Sequence, residues 1–268
     1  MTKIFISNPV ARAFSPRDIG PSLAFWFTVK DASSIILNGS NAQEWRERSG
    51  YDRHISAPAA TNRPLWVSSA NDGLPLLRFD GVDDILRNAT TGTAGLANVT
   101  ILAVLRFVSG ERDDLPIILG GSISGGARSL YRANNATTLG MAGVLRDILT
   151  SNYSTDIGGK FHLFEMWNTA LSGGSHVFLG RDGINNGYTP NNGGVLNLTG
   201  NGFSVGSWIT DINNFASNIE VREILVFSTA LSMNNLQKSR GYLMHEWNMQ
   251  DLLPANHPFK NRPPLVTD

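Results

Sequence analysis

Short apolar runs separated by stretches rich in Gly and Asn make up most of this chain. In Val99–Val108 every odd position is apolar, and Leu102 and Val104 make the other face partly apolar, as expected of a central β-strand. Ala24–Val29 holds three consecutive aromatic residues and is predicted to be a strand buried on both faces. Asn38–Arg63 is predicted to be a loop because Gly and Pro interrupt it. Further strands are predicted at Ile117–Leu119, Leu130–Arg132, Phe161–Trp167, His176–Leu179, Phe203–Val205 and Ile219–Phe227. This spacing predicts an all-β protein, either a sandwich or a jelly roll.

One helical pattern follows the last predicted strand. Ser232 is suited to be its N-cap, and Leu236, Leu243 and Trp247 recur on one face. The stem of Arg240 lies between them. We therefore expect one C-terminal α-helix at about residues 233–250, with its apolar face covering the sandwich.

Composition narrows the class of protein. Charged residues make up 16% of the 268 residues, the formal net charge is zero, and basic residues form no run, so binding to nucleic acid is not expected. Cysteine is absent, which excludes disulfides and thiolate metal sites. No apolar stretch approaches the roughly 18 residues of a membrane span, and the first ten residues lack the apolar core of a signal peptide.

The chain is predicted to be one domain with two flanking segments. Residues 1–22 carry three prolines and no periodicity, which indicates an extended N-terminal arm lying on this chain or on a neighbouring subunit. Residues 23–253 form the sandwich and its closing helix, and residues 254–268 form a C-terminal tail. The apolar residues with which the arm is expected to anchor the domain in an assembly are Ile4, Phe5, Ile6, Val10 and Phe14.

Several segments together resemble a known family. The strand Ile219–Phe227 and the helix after it, the Arg78–Asp84 stretch, and Trp45–Gly50 are similar to the concanavalin A-like (laminin G-like) jelly-roll domains of bacterial and bacteriophage surface proteins. In Trp45–Gly50, Glu47 stands where the family has Asp, and we expect Glu47 to play the same role as that Asp. The resemblance covers most of residues 23–262 in discontinuous pieces and implies a jelly-roll β-sandwich.

The resemblance does not fix a function, because lectins, glycosidases and inert virion proteins share this scaffold. Its glycosidases carry a Glu-X-Asp-X-Glu run on one strand face, which this chain lacks. Glu220 and Glu223 are three positions apart, so on a regular strand they point to opposite faces. Glu223 is expected to be a structural carboxylate bonded to backbone or to Arg. We therefore expect no catalytic residues and no enzymatic activity.

Asp80, Asp83 and Asp84 are the candidate metal ligands, since clustered carboxylates suit calcium. The favoured reading is structural: Asp80 and Gly81 make a tight turn, and the other two acids cap backbone amides. The family also has an acidic residue after its opening strand where this chain has Thr28 or Val29, which weakens the case for calcium. No cofactor is therefore expected.

Two predicted loops, Arg181–Gly194 and Trp208–Phe215, have lectin-like chemistry. Aromatic rings there can stack on a sugar, and amide and carboxylate groups can bond its hydroxyls. The candidate glycan-binding residues are Tyr188, Trp208, Asn186, Asn192 and Asp211. The alternative reading is that these are ordinary Gly- and Asn-rich turns at the end of a sandwich.

We therefore predict a non-enzymatic structural or adhesive protein on a virion surface, such as a bacteriophage capsid decoration, head fibre, or tail or baseplate accessory protein, with glycans as the ligands of an adhesive role. A carbohydrate-binding lectin-like module is the alternative, and a cryptic glycoside hydrolase is a third reading. The expected partners are other virion proteins, copies of the same chain and cell-surface polysaccharide, without membrane insertion. Synthesis in the host cytoplasm is expected.

Overall fold

The structure is a computed structural model. The residues it describes are 12–88, 99–108, 115–120, 128–133, 138–142, 151–152, 159–171, 174–191, 203–207 and 216–268. Of these, residues 115–120, 128–133, 138–142, 151–152, 168–171, 174–177 and 186–191 are described by their backbone alone.

The described residues form β-strands, four short 3-10 turns and one α-helix. The strands, in chain order, are β1 (Leu23–Thr28), β2 (Ile35–Asn38), β3 (Asn41–Trp45), β4 (Ile55–Ser56), β5 (Leu65–Val67), β6 (Leu76–Asp80), β7 (Leu86–Asn88), β8 (Thr100–Phe107), β9 (Leu115–Gly120), β10 (Arg128–Ala133), β11 (Thr138–Ala142), β12 (Ser151–Asn152), β13 (His162–Leu171), β14 (Gly174–Arg181), β15 (Ile184–Asn191), β16 (Phe203–Val205) and β17 (Asn218–Phe227). The 3-10 turns are Pro16–Ile19, Ala32–Ser34, Ala60–Asn62 and Gln250–Leu252, and the helix α1 is Met233–Glu246.

The strands pair antiparallel in two layers. One layer has the order β1-β17-β8-β13-β14-β15, and the other has β2-β3-β4-β7-β16-β9-β10-β11-β12. The pair β5-β6 connects them, since β6 bonds to β17 and β5 bonds to β3. The predicted all-β sandwich with one C-terminal helix is confirmed, whereas the loop predicted over 38–63 is wrong where it contains β3 and β4.

Aromatic rings fill the space between the layers. Phe25 and Phe27 of β1 stack on Phe203 of β16, with ring centroids 4.9 and 5.7 Å apart, and Phe27 also lies 5.2 Å from Trp45 of β3. All four rings are buried. Because rings of this size dominate core energetics, this cluster forms the centre of the sandwich.

Helix α1 covers the outer face of the first layer. Its N-cap is Ser232, whose hydroxyl accepts a hydrogen bond from the Asn235 amide at 3.3 Å, as the sequence predicts. Leu236, Leu243 and Trp247 are buried against the sheet. The helix ends at Glu246, four residues before the predicted end, because Asn248 turns the chain at φ 56°.

A β-bulge in β17 changes which acidic side chains share a face. Val221 pairs with Leu105 but Glu223 pairs with Val104, so Arg222 is the extra residue. Glu220 is in register with Arg106, which lies on the same face of β8 as Val104. Glu220 and Glu223 therefore lie on the same outer face, and the expectation of opposite faces is wrong.

The two ends of the described chain are bonded to each other. Ala13 forms an antiparallel bridge with Leu265, and the Phe14 amide donates to the Pro264 carbonyl at 3.0 Å. Phe14 is 6% exposed and lies edge-on to Tyr242 of α1. Phe14 is thus used in the fold of its own chain, and the arm is not extended through its Pro16–Ile19 turn. The other arm residues Ile4, Phe5, Ile6 and Val10 lie outside the described residues.

The predicted tail, residues 254–268, is packed on helix α1. Phe259 is buried, and its carbonyl contacts His245 Nε2 at 2.8 Å. The Lys260 ammonium donates to the Leu253 carbonyl, and Arg262 pairs with Asp268 at 2.7 Å. Within the described part of the chain, no helix is long and apolar enough to span a membrane.

Candidate functional site

The structure corrects the predicted glycan loop at 181–194. Asp182 and Gly183, at φ 53° and 84°, form the two-residue turn of a hairpin between β14 and β15. Asn186 and Tyr188 are therefore strand residues, and Tyr188 pairs with Phe178. Their side chains lie outside the described residues, as do Asn192, Trp208 and Asp211. The sugar site built on these five residues stays a prediction.

A surface cleft of about 300 Å³ lies at the other end of the first layer, beside the start of β1. Its lining residues are Arg17, Gly20, Pro21, Leu23, Ser49, Gly50 and Tyr51. The Tyr51 side chain is 48% exposed, and aromatic rings with one wet edge are typical of binding surfaces. We call this site the Tyr51 cleft.

The Tyr51 ring is held from two directions. Its hydroxyl donates to the Pro21 carbonyl at 3.2 Å, and the Arg53 guanidinium lies 4.5 Å from the ring centroid. Arg53 is itself fixed by a hydrogen bond to the Ala24 carbonyl at 3.2 Å. The ring is thus oriented before any ligand arrives, which lowers the entropic cost of binding.

Glu47 shapes the loop that carries Tyr51. This buried carboxylate accepts from the backbone amides of Ser49 at 2.5 Å, Tyr51 at 3.0 Å and Arg53 at 3.4 Å. A Glu or Asp at this position can close such a loop because an ionised carboxylate has two acceptor oxygens. In this structure Glu47 has a structural role, because it closes the loop that carries Tyr51.

Arg17 adds a positive charge to the lining of the cleft. Arg17 donates to the Arg48 carbonyl from Nε and Nη2, at 2.9 and 2.6 Å. The guanidinium groups of Arg17 and Arg48 lie 5.8 and 5.5 Å from the Trp26 ring. The cleft therefore combines an exposed aromatic ring with fixed hydrogen-bond donors, which is the chemistry that sugar hydroxyls need.

The three candidate metal ligands come together in the turn after β6, where their carboxylate oxygens lie within 4.8 Å of one another. Asp80 accepts from the amides of Val82 at 2.8 Å and Asp83 at 3.4 Å, and Asp84 accepts from the Asp80 amide at 2.9 Å. Burial, together with the charges of Asp80 and Asp83, raises the pKa of Asp84 to about 7. Asp80 and Asp84 thus accept from amides of the turn, where Asp83 and Asp84 were the expected caps, and the expectation that no cofactor is bound here stays a prediction.

Glu223 lies fully buried between the sheet and helix α1. Oε1 accepts from Trp26 Nε1 at 2.7 Å and from the Tyr242 hydroxyl at 3.0 Å; Oε2 accepts from Trp247 Nε1 at 2.7 Å and from the Thr28 hydroxyl at 3.2 Å. Burial raises the pKa of Glu223 to about 7. The expected structural role is seen, but the partners are indole and hydroxyl groups rather than backbone or Arg.

Glu165 of β13 is a second fully buried carboxylate under the helix. It pairs with Arg240 of α1 at 2.6 Å and accepts from the Gly183 amide at 2.9 Å. Arg240 also donates to the Asn185 side chain at 2.9 Å. These bonds fasten the middle of α1 to the β13–β15 region.

Tyr51 is the site residue that sequence reasoning missed. The segment Trp45–Gly50, which carries part of the family resemblance, ends directly before Tyr51. The available signal in the sequence was therefore an aromatic residue directly after a segment that contains an acidic residue, Glu47. Its neighbours Arg17 and Pro21 come from the supposed arm, about 30 residues earlier, and no local pattern links them to it.

The comparisons with known proteins show the fold alone. A scan against protein-family models finds no match, and a search of curated proteins finds none. Among solved structures, Trypanosoma rangeli sialidase in complex with sialic acid matches with a TM-score of 0.55 and 13% identity, covering 84% of this chain and 33% of the sialidase. This chain thus spans about a third of that protein.

Two further solved structures are also similar. Domain 4 of AbnA, a GH43 extracellular arabinanase from Geobacillus stearothermophilus, in complex with arabinotriose, matches with a TM-score of 0.53 and 11% identity over 80% of this chain and 96% of that domain. The binding domain of botulinum neurotoxin serotype D matches with a TM-score of 0.59 and 12% identity over 82% of this chain and 51% of that chain. These likenesses are consistent with an antiparallel β-sandwich.

Proposed function

We propose that this chain is a non-enzymatic, concanavalin A-like carbohydrate-binding module and that the Tyr51 cleft is its sugar site. The observation that carries the proposal is the half-exposed Tyr51 ring, fixed by Arg53 and Pro21 in a cleft of about 300 Å³. A pre-oriented aromatic face can stack on the C–H face of a pyranose or furanose ring. Arg17 and Ser49 supply polar groups beside it.

The structural likenesses support this proposal. This chain covers 96% of an arabinanase domain whose structure holds arabinotriose, so a sandwich of this size is sufficient to form a sugar-binding domain. The toxin match is also to a binding domain.

The described carboxylates favour binding over glycoside hydrolysis. Most glycoside hydrolases place two carboxyl groups across an open cleft, roughly 5 to 9.5 Å apart. Glu223 and Glu165 are fully buried beneath α1, and Glu47 is bonded to three loop amides. None of these three carboxylates is placed to flank a glycosidic bond.

The decisive experiment is a sugar titration of Tyr51 variants. A glycan array probed with the protein as an engineered multimer identifies the ligand, and NMR titration of the monomer should then give a dissociation constant of about 0.1 to 1 mM. Tyr51→Ala should weaken binding by about tenfold or more, whereas Tyr51→Phe keeps the ring and should stay within about threefold.

Leu37→Ala is the matched control, since Leu37 is 42% exposed and does not line the cleft. It should bind as the wild type does. Unchanged binding by Tyr51→Ala would refute the Tyr51 cleft as the sugar site. If the double variant Tyr188→Ala, Trp208→Ala lost binding instead, the sugar site would lie in the two segments predicted from the sequence, residues 181–194 and 208–215.

We further propose that the module works in many copies on a particle surface, as the family resemblance to bacteriophage surface proteins implies. Weak single-site affinity becomes useful when many sites act together. The test is the identity of the flanking genes, with detection of the protein in purified particles. Flanking genes for a secreted enzyme, and particles without the protein, would contradict the virion role.

A further inference from the structure

Two arginines and one glutamate form a row across three adjacent strands on the outer face of the first layer. Glu220 of β17 is in register with Arg78 of β6 and with Arg106 of β8. Arg78 Nε donates to Glu220 Oε1 at 2.7 Å, and Arg106 Nε donates to Oε2. The Glu220 side chain is only 2% exposed, so it holds both guanidinium groups from beneath.

This arrangement leaves donors facing outward. Among the described residues, Arg78 bonds Glu220 through Nε alone, and its side chain is 46% exposed, so its terminal nitrogens are open to solvent. Arg106 is 26% exposed and makes one further hydrogen bond within this part of the chain, from Nη1 to the Gly159 carbonyl at 3.4 Å. Terminal guanidinium nitrogens held in a fixed plane match the two oxygens of a carboxylate.

Arg222 extends the row towards helix α1. Its guanidinium lies 3.7 Å from the centroid of the Phe161 ring, on which Arg106 also lies at 4.9 Å. Nη2 bonds both oxygens of Asp72, while Nε is buried without a hydrogen-bond partner. Shared stacking on Phe161 fixes the spacing between Arg106 and Arg222. We call Arg78, Arg106 and Arg222 the arginine row.

The charge balance of the row favours an anion. Its three guanidinium groups are matched by the two carboxylates of Glu220 and Asp72, which leaves one positive charge in excess. Asp80, at the end of β6, is the nearest further acid along the strand, and its Oδ1 accepts from the Val82 and Asp83 amides within its own turn.

The strand pairing decides the class of ligand. Over Asn218–Val221, β17 is bonded to β6 on one side and to β8 on the other. A peptide therefore cannot add to the row as an extra strand, because no backbone edge is free there. The backbones of Arg78 and Arg106 are two strand spacings apart, roughly 10 Å, which is about the width of one sugar residue, and both guanidinium groups converge on the Glu220 carboxylate between them.

We propose that the arginine row is a second binding site, which takes the carboxylate of an acidic sugar residue such as a uronic acid. Arg78 and Arg106 bind the carboxylate, and Phe161 forms the adjoining wall, while the Arg222 side chain, only 1% exposed, stacks on Phe161 within the protein. The row is separate from the Tyr51 cleft: Leu23 of the cleft pairs with Phe227, seven residues along β17 from Glu220, or about 23 Å. The proposal therefore does not rest on the proposed function.

The test is NMR titration of the isotope-labelled protein with trigalacturonate and with its methyl ester, at about 50 mM salt. The acid should shift the amide signals around Arg78, Arg106 and Phe161 and bind at least about tenfold more tightly than the ester. Arg78→Gln should weaken binding of the acid by about tenfold, and Arg78→Lys by about threefold, because Lys keeps the charge but loses the planar fork.

Arg46→Gln is the matched control, since Arg46 is 52% exposed and paired with Glu44 away from the row. It should bind as the wild type does. Equal binding of acid and ester, or an equal loss in Arg46→Gln, overturns the proposal. Displacement of trigalacturonate by an equal concentration of inorganic sulfate would indicate a general anion site and would also overturn the proposal. The same holds if an acidic peptide binds more tightly than trigalacturonate and its binding depends on Arg78. Signals that shift only around Tyr51 would overturn it while supporting the Tyr51 cleft.

Discussion

Trp247 joins helix α1 to the sheet both by packing and through its indole N–H. Its side chain is 1% exposed, its Nε1 donates to Glu223 Oε2 at 2.7 Å, and Lys30 lies 5.2 Å from the ring centroid. Trp247→Ala removes a buried aromatic side chain, which costs about 3 to 5 kcal/mol. It also removes one of four donors to a buried carboxylate, a loss of about 1.5 to 3 kcal/mol for a bond to a charged group.

Two substitutions separate these contributions. Trp247→Phe keeps most of the apolar burial but loses the N–H, so we expect a loss of about 2 kcal/mol in the free energy of unfolding, against at least about 4 kcal/mol for Trp247→Ala. Met233→Ala, at a position of the same helix that is 54% exposed, should change stability by less than about 0.5 kcal/mol.

Denaturant unfolding followed by far-ultraviolet circular dichroism measures all three variants without relying on tryptophan fluorescence. A loss below about 1 kcal/mol for Trp247→Ala would refute the buried helix face. If Trp247→Phe were as stable as the wild type, the bond from the indole to Glu223 would contribute nothing, and packing alone would hold the helix.

Two further predictions concern Glu223 and Gly206. Because burial raises the pKa of Glu223 to about 7, above its ordinary 4.5, its protonation favours the folded state; this stabilisation is complete below about pH 4.5 and is lost as the pH rises through about 7. In urea unfolding the wild type should lose stability relative to Glu223→Gln between about pH 4.5 and 7 and change little above about pH 7.5. A difference between the two proteins that stays constant over this range would contradict the prediction. Gly206 has φ +91°, and a Cβ there would lie 2.2 Å from Phe79 Cδ1, whereas Gly39, at φ +65°, has open space. In thermal unfolding Gly206→Ala should cost more than about 3 kcal/mol and Gly39→Ala about 1 kcal/mol, and equal losses would show that the Phe79 contact is not tight.

The sequence by itself determined the fold class and the closing helix. Alternation in Val99–Val108 predicted a central strand and the pattern of Ile219–Phe227 predicted a second strand, which the structure gives as β8 and β17. The Ser232 cap and the Leu236–Leu243–Trp247 spacing predicted α1 and its buried face. These features depend on neighbours within a few positions of each other along the chain, so a local pattern is sufficient to reveal them.

Only the tertiary structure decided the sites. The bulge at Arg222 places Glu220 and Glu223 on the same face of β17 instead of on opposite faces, because one extra residue shifts the register of all residues that follow it. The partners of Glu223 include Trp26, 197 positions away, and Arg17 and Tyr51 meet in one cleft from separate segments. Such contacts depend on which strands pair and in what register, and hydrophobic patterning does not record the identity of a partner on a distant strand.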